Sequence, residues 1–128
     1  MIKGIEHVGI AAKDTAALTK WYVDVLECRV VYENPASGTY FVAFGDNSMI
    51  EIYASDVDVD NALYQNKGQG IRHISVEVED FEASVKKLTD MGIEAIQPIV
   101  NAPKASTFFF RDPEGNIVHF ICRDKPLI

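Results

Sequence analysis

The stretch Arg111-Asp112-Pro113-Glu114-Gly115-Asn116-Ile117-Val118-His119-Phe120-Ile121 decides how the chain folds. Its first half has the chemistry of a tight turn, because Pro sets φ, Gly accepts a positive φ and Asn bonds to nearby backbone. Residues 116–122 are rich in β-branched and aromatic side chains and are predicted as a strand. Alternation along that strand places His119 on one face with Ile117 and Ile121. An imidazole among apolar neighbours indicates a specific role.

An internal repeat shows which residues of the first half of the chain are equivalent to those of the second half, His119 included. Ile5-Glu6-His7-Val8-Gly9-Ile10 recurs as Ile71-Arg72-His73-Ile74-Ser75-Val76, and each copy runs on to an Asp before a helical pattern. Further along, Tyr40-Phe41-Val42 matches Phe108-Phe109-Phe110, and Met49-Ile50-Glu51-Ile52-Tyr53 matches residues 117–121. His7 is therefore equivalent to His73, and Glu51 is equivalent to His119.

The repeat predicts a metal site. A duplicated module that pairs about a pseudo-two-fold axis brings equivalent positions near that axis together, and here those positions carry His7, Glu51, His73 and His119. The three histidines are the only ones in the chain. Nitrogen and oxygen donors on separate rigid strands suit Zn²⁺, Ni²⁺, Co²⁺ or Fe²⁺ better than Mg²⁺ or Ca²⁺. We therefore expect a divalent transition metal at these four residues.

The sequence resembles the vicinal oxygen chelate superfamily, which includes glyoxalase I, methylmalonyl-CoA epimerase, extradiol dioxygenases, and fosfomycin- and bleomycin-resistance proteins. The resemblance covers essentially the whole chain. It is carried by IEHVGIAAKD (5–14), WYVDVLECRVV (21–31), GIRHISVEVED (70–80) and FFFRDPEGNIVHFI (108–121). Two positions depart from the family pattern: most metal-binding members have glutamate at the position of His119, and the usual Gly after "VL" is Glu27 here.

The resemblance implies an α+β fold. It consists of two βαβββ modules that form a curved eight-stranded mixed sheet around a metal cleft, with the helices outside. In that family the metal ligands come from the first and last strands of both modules, which map here onto His7, Glu51, His73 and His119. The chain is then one domain over 1–128, with module 1 at 1–54, a linker at 55–70 and module 2 at 71–128.

Hydrophobic periodicity predicts the individual helices and strands. An apolar helix face follows Asp14 or Thr15 as the N-cap and consists of Leu18, Trp21, Tyr22, Val25 and Leu26. A second helix begins near Phe81 and ends at Gly92. Strands are predicted at 5–12, 28–32, 39–44, 48–53, 71–79, 93–96, 106–110 and 116–122, with a helical turn at 62–64 in the linker.

Composition and the opening residues indicate which binding partners and which cellular compartment to expect. The chain has 128 residues, a net charge of −7 and a pI near 4.8, which argues against nucleic acid or an anionic membrane as a partner. The opening residues contain no apolar run, so we expect a cytoplasmic protein. Cys28 and Cys122 lack metal-type spacing and are predicted to be buried free thiols. Family members often combine modules from two chains, so the resemblance implies a homodimer.

The resemblance implies an enzyme of the glyoxalase I type, a metal-dependent lyase or isomerase. In that family a substrate with oxygens on nearby carbons binds the metal, and a carboxylate moves a proton next to the carbonyl through an enediolate. Both Glu51 and His119 are then catalytic-site residues. We hypothesise that His119 is the fixed ligand and Glu51 the mobile ligand and base.

Three other functions remain open. The first is an isomerase similar to methylmalonyl-CoA epimerase, and the second is an extradiol-type Fe(II) dioxygenase, since two histidines and one carboxylate can form a facial triad. The third is a non-catalytic protein that binds a small molecule or antibiotic. Only four guanidinium groups are available to bind carboxylates or phosphates in a bidentate way, those of the arginines at 29, 72, 111 and 123. Their spacing does not distinguish a glutathione adduct from a coenzyme A ester.

Overall fold

A computed structural model describes residues 1–128, and the chain divides into an amino-terminal unit, Met1–Val59, and a carboxy-terminal unit, Asp60–Ile128. Unit 1 contains β1 (His7–Ala12), α1 (Thr15–Leu26), β2 (Arg29–Asn34), β3 (Thr39–Ala43) and β4 (Met49–Ala54). Its sheet has the order β1-β4-β3-β2, with β1 parallel to β4 and the other neighbours antiparallel. Unit 1 is therefore a complete βαβββ module.

Helix α1 begins where the sequence predicts. The carboxylate of Asp14 accepts a hydrogen bond from the amide of Ala17 at 3.0 Å and caps the first turn. The helix ends at Glu27, whose φ of 60° is left-handed. Its buried face packs on β3 and β4 and consists of Leu18, Thr19, Tyr22, Val25 and Leu26. Trp21 lies at the margin of this face, with its ring edge-on to Tyr22.

The two faces of the unit 1 sheet have different environments. Val42, Ile50 and Ile52 point to the helix side and are at most 2% exposed, so they form the core. Alternation sends Glu51 to the opposite face, where its side chain keeps contact with solvent. The sheet therefore separates the core from the face that carries the predicted ligands.

Unit 2 contains a 3₁₀ turn (Asn61–Leu63), β5 (His73–Glu77), α2 (Phe81–Asp90), β6 (Ala105–Arg111) and β7 (Ile117–Arg123). The sheet order is β5-β7-β6, with β5 parallel to β7 and β6 antiparallel to it. Asp80 caps α2 by accepting from the amide of Ala83 at 3.0 Å. The core on the helix side includes Leu88, Phe108, Phe110, Val118 and Phe120, all at most 4% exposed.

The turn between β6 and β7 is held by Asp112, which is 4% exposed. Its Oδ1 accepts from the amides of Glu114 and Asn116, both at 2.9 Å, and its Oδ2 accepts from Nδ2 of Asn116. Gly115 adopts a φ of 86°, as the turn chemistry predicts. The sequence therefore predicted this turn correctly, and the structure identifies Asp112 as its anchor.

The α+β prediction is confirmed, but the curved eight-stranded sheet is not. The chain forms two separate mixed sheets, of four and three strands. The number of strands is seven and not eight, because no strand forms at 93–96. The amide of Ile96 donates to the carbonyl of Phe109 at 2.9 Å, and Val100 forms an isolated bridge with Thr107. Pro98, between them, has no amide hydrogen to continue a ladder, which explains the interruption. Neither helix has the length and apolar character needed to cross a bilayer.

Candidate metal-binding pairs

The first pair, His7 and Glu51, lies on the open face of unit 1. The parallel pairing of β1 with β4 sets Gly9 opposite Glu51 and His7 opposite Met49. The imidazole consequently extends along β1 toward the carboxylate, and Nε2 of His7 lies 3.2 Å from Oε2 of Glu51. The two side chains are 34% and 28% exposed. A nitrogen donor and an oxygen donor are thus adjacent and reachable from solvent.

The surroundings of His7 orient its ring. Its Nδ1 is hydrogen-bonded to the carboxylate of Glu6, which leaves Nε2 directed at Glu51. The hydrogen bond to Glu6 is the main reason that the pKa of His7 is raised, and the charges of Glu6 and Glu51 add to it. The ring of Phe41 meets His7 edge-on, with centroids 5.3 Å apart. A carboxylate that holds the second nitrogen is the usual way in which proteins orient a metal-binding histidine.

The second pair, His73 and His119, occupies the equivalent register in unit 2. His73 lies opposite Ile117 as His7 lies opposite Met49, and Ser75 lies opposite His119 as Gly9 lies opposite Glu51. The two imidazole rings are 4.7 Å apart between centroids and inclined at 82°. The alignment of the two halves in sequence therefore corresponds to an equivalence in three dimensions.

His73 is oriented by a residue of the linker. Its Nδ1 lies 2.8 Å from the side-chain oxygen of Asn66, so it carries the hydrogen of that bond. The Nε2 of this tautomer has a free lone pair for a metal ion. Asn66 thus has the same role toward His73 as Glu6 has toward His7.

His119 has the most unusual environment of the four. It is 6% exposed, and its Nδ1 is buried without a hydrogen-bond partner. Burial is the main cause that lowers the pKa of His119 to about 4, and electrostatic repulsion of its protonated form by His73 and Arg123 adds to it. The Phe120 backbone opposes the shift, although no hydrogen bond of normal geometry reaches Nδ1. A neutral imidazole with a buried unpartnered nitrogen is a donor that fits a metal ion.

The structure brings the four predicted residues together as two pairs. It contains no group of three or more His, Cys, Asp or Glu side chains that could hold a metal ion. Cys28 is a buried free thiol as predicted, and burial raises its pKa to about 12, whereas Cys122 is only half-buried. Each unit therefore supplies one pair of donors, and the cysteines supply none.

Two of the four arginines have structural partners. Arg29 donates to the carbonyl of Phe44 at 3.0 Å and to Asn47. Arg111 donates to three carbonyls, those of Asn61, Tyr64 and Gly115, at 2.7–3.1 Å. Arg72 lies over the ring of Tyr64, at 5.3 Å from its centroid, and has no partner at its buried Nε. The structure thus removes Arg29 and Arg111 from the candidates for anion binding.

Sequence reasoning missed the residues that support the pairs. Glu6 was visible as the neighbour of His7, but nothing in the sequence indicated that it bonds to the imidazole. Asn66 lies in a segment with the composition of a solvated linker. The register places Phe41 opposite Glu51 and Phe109 opposite His119, so a phenylalanine borders each pair. The repeat contains this last signal, because it aligns the two phenylalanines.

The chain is similar to known proteins over nearly its full length. Residues 4–120 match the family model described as the Glyoxalase/Bleomycin resistance protein/Dioxygenase superfamily. Biphenyl-2,3-diol 1,2-dioxygenase 3 of Rhodococcus globerulus is 27% identical over 119 residues, which are 89% of this chain. The mitochondrial methylmalonyl-CoA epimerase of Mus musculus is 30% identical over 98 residues, or 72% of this chain. The chain spans only 60% and 55% of the lengths of these two relatives.

Solved structures share the architecture. The glyoxalase family protein from Enterococcus faecalis superposes with a TM-score of 0.74 at 28% identity, covering 94% of this chain and 98% of that one. The match includes both halves of the duplicated chain. The fold and the sequence pattern therefore lead to the same group of proteins.

Proposed function

Because the chain belongs to the glyoxalase/bleomycin resistance protein/dioxygenase superfamily, we propose that it is a metal-dependent lyase or isomerase that moves a proton next to a carbonyl. Members of this superfamily bind divalent metal ions and small-molecule substrates. The observation that carries the proposal is the pair of donors at one register in each unit, His7 with Glu51 and His73 with His119. The 30% identity to an epimerase supports a proton-transfer reaction.

The proposed ligands are His7, Glu51, His73 and His119, with Zn²⁺, Ni²⁺, Co²⁺ or Fe²⁺ as the ion. Three of the donors are imidazoles, and Glu6 and Asn66 already orient His7 and His73 through their Nδ1 atoms. When bound, such an ion polarises a carbonyl oxygen and stabilises developing negative charge, an effect of several kcal/mol. The remaining coordination positions would be available to the substrate oxygens.

Glu51 is the proposed base. It is the only carboxylate among the four donors, and its 28% exposure lets a substrate reach it. His119 is almost fully buried and is held by the stacked ring of Phe109, so it suits the role of the fixed ligand. Glu51 takes the proton from the carbon next to the carbonyl and returns it to the substrate. A substrate with two oxygens on nearby carbons would match this arrangement.

A dioxygenase is the second candidate, and the 27% identity to a biphenyl-diol dioxygenase favours it. Two histidines and one carboxylate suffice for a facial Fe(II) site. The third imidazole, however, would occupy a position that O₂ or substrate needs. We therefore rank glyoxalase-like proton transfer first, followed by the epimerase-like version of the same chemistry.

The metal content and a proton-exchange assay test the proposal together. Protein purified without chelator is analysed for metals, and we expect about one transition-metal ion per chain. The metal-loaded protein is then incubated in D₂O with glutathione hemithioacetals and with acyl-coenzyme A esters. Deuterium entry next to the carbonyl supports proton transfer, whereas O₂ consumption with catechols supports the dioxygenase. A protein that holds no metal would contradict both and favour a non-catalytic binder.

We further propose a homodimer. The four-ligand set needs one pair from a unit 1 and one pair from a unit 2, and proteins of this superfamily commonly form dimers. Analytical ultracentrifugation at micromolar concentration is expected to give twice the chain mass. A monomer that still bound one metal ion per chain would refute the dimer without affecting the ligand assignment.

A further inference from the structure

A shallow apolar groove lies on the open face of unit 1. It has a volume of about 340 Å³ and is lined by Val31, Tyr32, Phe41 and Met49. None of these side chains carries a charge, in a protein with 31 acidic and basic residues among 128. The volume is at the lower end of the range for small-molecule pockets. The groove therefore fits a small uncharged group and not a phosphate-bearing one.

A β-bulge in β2 creates one wall of this groove. Val30 pairs with Val42 and Tyr32 pairs with Phe41, so Val31 is the extra residue on β2. On a regular strand Val31 and Tyr32 would point to opposite faces. Because a bulge interrupts the alternation, both consecutive side chains border the groove. Bulges commonly re-aim side chains in this way near functional sites.

The groove is continuous with the His7–Glu51 pair. Phe41 pairs with Glu51 on the neighbouring strand, and its ring meets the His7 ring edge-on at 5.3 Å. Met49 lies opposite His7 and two residues before Glu51 on the same face. A molecule whose oxygens lie at the His7–Glu51 pair would thus place its adjacent group in the groove.

We propose that the groove binds a flat aromatic ring attached to the oxygen-bearing part of the substrate. Tyr32 and Phe41 meet edge-on at 5.9 Å and 83°, and both aromatic side chains border the groove. The ring of an aromatic ligand can make edge-to-face contacts with these two side chains, which an aliphatic group of the same size cannot make. The thioether of Met49 adds a favourable sulfur–ring contact. The assignment of the oxygens to the metal rests on the proposed function, whereas the ring preference rests on the groove alone.

Methionine NMR tests the groove directly. The chain has three methionines, Met1, Met49 and Met91, so a protein labelled with ¹³C in the methionine methyl groups gives a spectrum that is easily assigned. Benzohydroxamate is titrated into zinc-loaded protein, with acetohydroxamate as the chelating control that has no ring. We expect the ring current of benzohydroxamate to shift the Met49 methyl signal and to leave the Met91 signal unchanged. An unmoved Met49 signal at saturation, or equal shifts at Met49 and Met91, would overturn the proposal.

Calorimetry with variants gives an independent measurement. Val31→Trp fills the groove, and Val57→Trp is the matched control at an exposed linker position. In the native protein and in Val57→Trp we expect benzohydroxamate to bind about tenfold more tightly than acetohydroxamate, because the groove buries the ring. In Val31→Trp the ratio should fall to about one. A cyclohexyl hydroxamate that binds as tightly as the phenyl compound would contradict the preference for aromatic rings.

Failure of the groove and failure of the metal site are distinguishable. If zinc does not bind, neither hydroxamate binds, and phenol at millimolar concentration replaces them as the probe of the metal-free protein. A Met49 shift with phenol would then support the groove, so the failure to bind zinc would contradict only the proposed function. If both hydroxamates bind zinc with equal affinity, the metal site stands and the groove proposal is wrong.

Discussion

The ring of Phe109 lies parallel to the imidazole of His119, with the ring centroids 4.1 Å apart and the planes inclined by 5°. The equivalent phenylalanine in unit 1, Phe41, meets His7 edge-on and leaves Glu51 partly exposed. The stack covers one face of His119 and contributes to its burial. The same position in the repeat therefore holds a buried neutral imidazole in unit 2 and an accessible carboxylate in unit 1.

The environment of His119 predicts that the metal-free protein loses stability on acidification. The pKa of His119 is about 4 in the folded protein and 6.5 in the unfolded chain, so between these values the unfolded chain binds more protons. Stability should therefore fall as the pH decreases from about 6.5 to 4, by up to roughly 3 kcal/mol, and should be unaffected by this residue above pH 7. Urea unfolding of chelator-treated protein at pH 7, 5.5 and 4.5 measures the change.

His119→Gln isolates this contribution. Other groups also titrate in this range, and His7 has the opposite effect, because its raised pKa favours the fold below about pH 6.5. The variant retains all of these groups except the imidazole of His119, so its stability should depend less steeply on pH. Parallel curves for the two proteins would show that burial of His119 has no such cost.

Single replacements of the histidines should release the metal. His7→Ala, His73→Ala and His119→Ala each remove one nitrogen donor, and we expect metal affinity to fall by orders of magnitude. The sheets and helices should remain, because apolar packing supplies the core. Elemental analysis gives the metal content and circular dichroism the fold. Full occupancy in both His7→Ala and His73→Ala would mean that the ligand assignment is wrong.

Asn66→Ala should weaken metal binding without removing a ligand. Asn66 orients His73 through a 2.8 Å hydrogen bond, and loss of such a partner typically reduces metal affinity by about 10- to 100-fold. Gln69→Ala, a replacement at an exposed position of the same segment, is the matched control. Competition with a chromogenic chelator gives both affinities. Equal affinities for the two variants would exclude a role for Asn66.

Replacement of Glu51 should reduce turnover, whereas replacement of His119 should be tolerated only by a side chain that still binds the metal. Glu51→Gln keeps an oxygen donor but not a base, so we expect metal to be retained and turnover to fall roughly 100-fold or more. His119→Glu restores the residue that is usual in the family and should retain metal. Both are checked by metal analysis and by the deuterium-exchange assay. Turnover of Glu51→Gln at the native rate would reduce the carboxylate to a ligand and exclude the glyoxalase-like mechanism.

Glu27→Gly should stabilise the fold. Glu27 ends α1 with a φ of 60°, a conformation that glycine adopts without the strain caused by a Cβ atom. We expect a gain of about 1 kcal/mol or less in the free energy of unfolding, because relief of the left-handed strain is partly offset by the greater conformational freedom of glycine in the unfolded chain. Glu27→Ala keeps the Cβ atom and removes only the contacts of the carboxylate, so it is the matched control. If both variants changed stability equally, backbone strain at this position would not be the cause.

Part of the candidate site could be predicted because it depends on local periodicity. Alternation along a strand and the repeat together predicted all four residues at mid-strand, which is correct for Glu51 and His119, whereas His7 and His73 are the first residues of β1 and β5. The structure gives both pairs the same register. The strand predicted at 93–96 failed, although its composition is suitable. A ladder needs a partner and an unbroken series of amides, and the segment reaches Pro98 before one is established.

The sequence by itself determined the two capped helices and the tight turn at Asp112, because each depends on residues a few positions apart. It also showed the duplication of histidine-bearing strands through the internal repeat, and the resemblance carried by these motifs implied the α+β class. Only the tertiary structure decided how these residues are used. The unpartnered nitrogen of His119, the bond from Asn66 to His73 and the groove created by the extra residue Val31 all depend on contacts across strands. Burial and ring orientation are properties of packing, and packing joins residues whose separation in sequence carries no periodic signal.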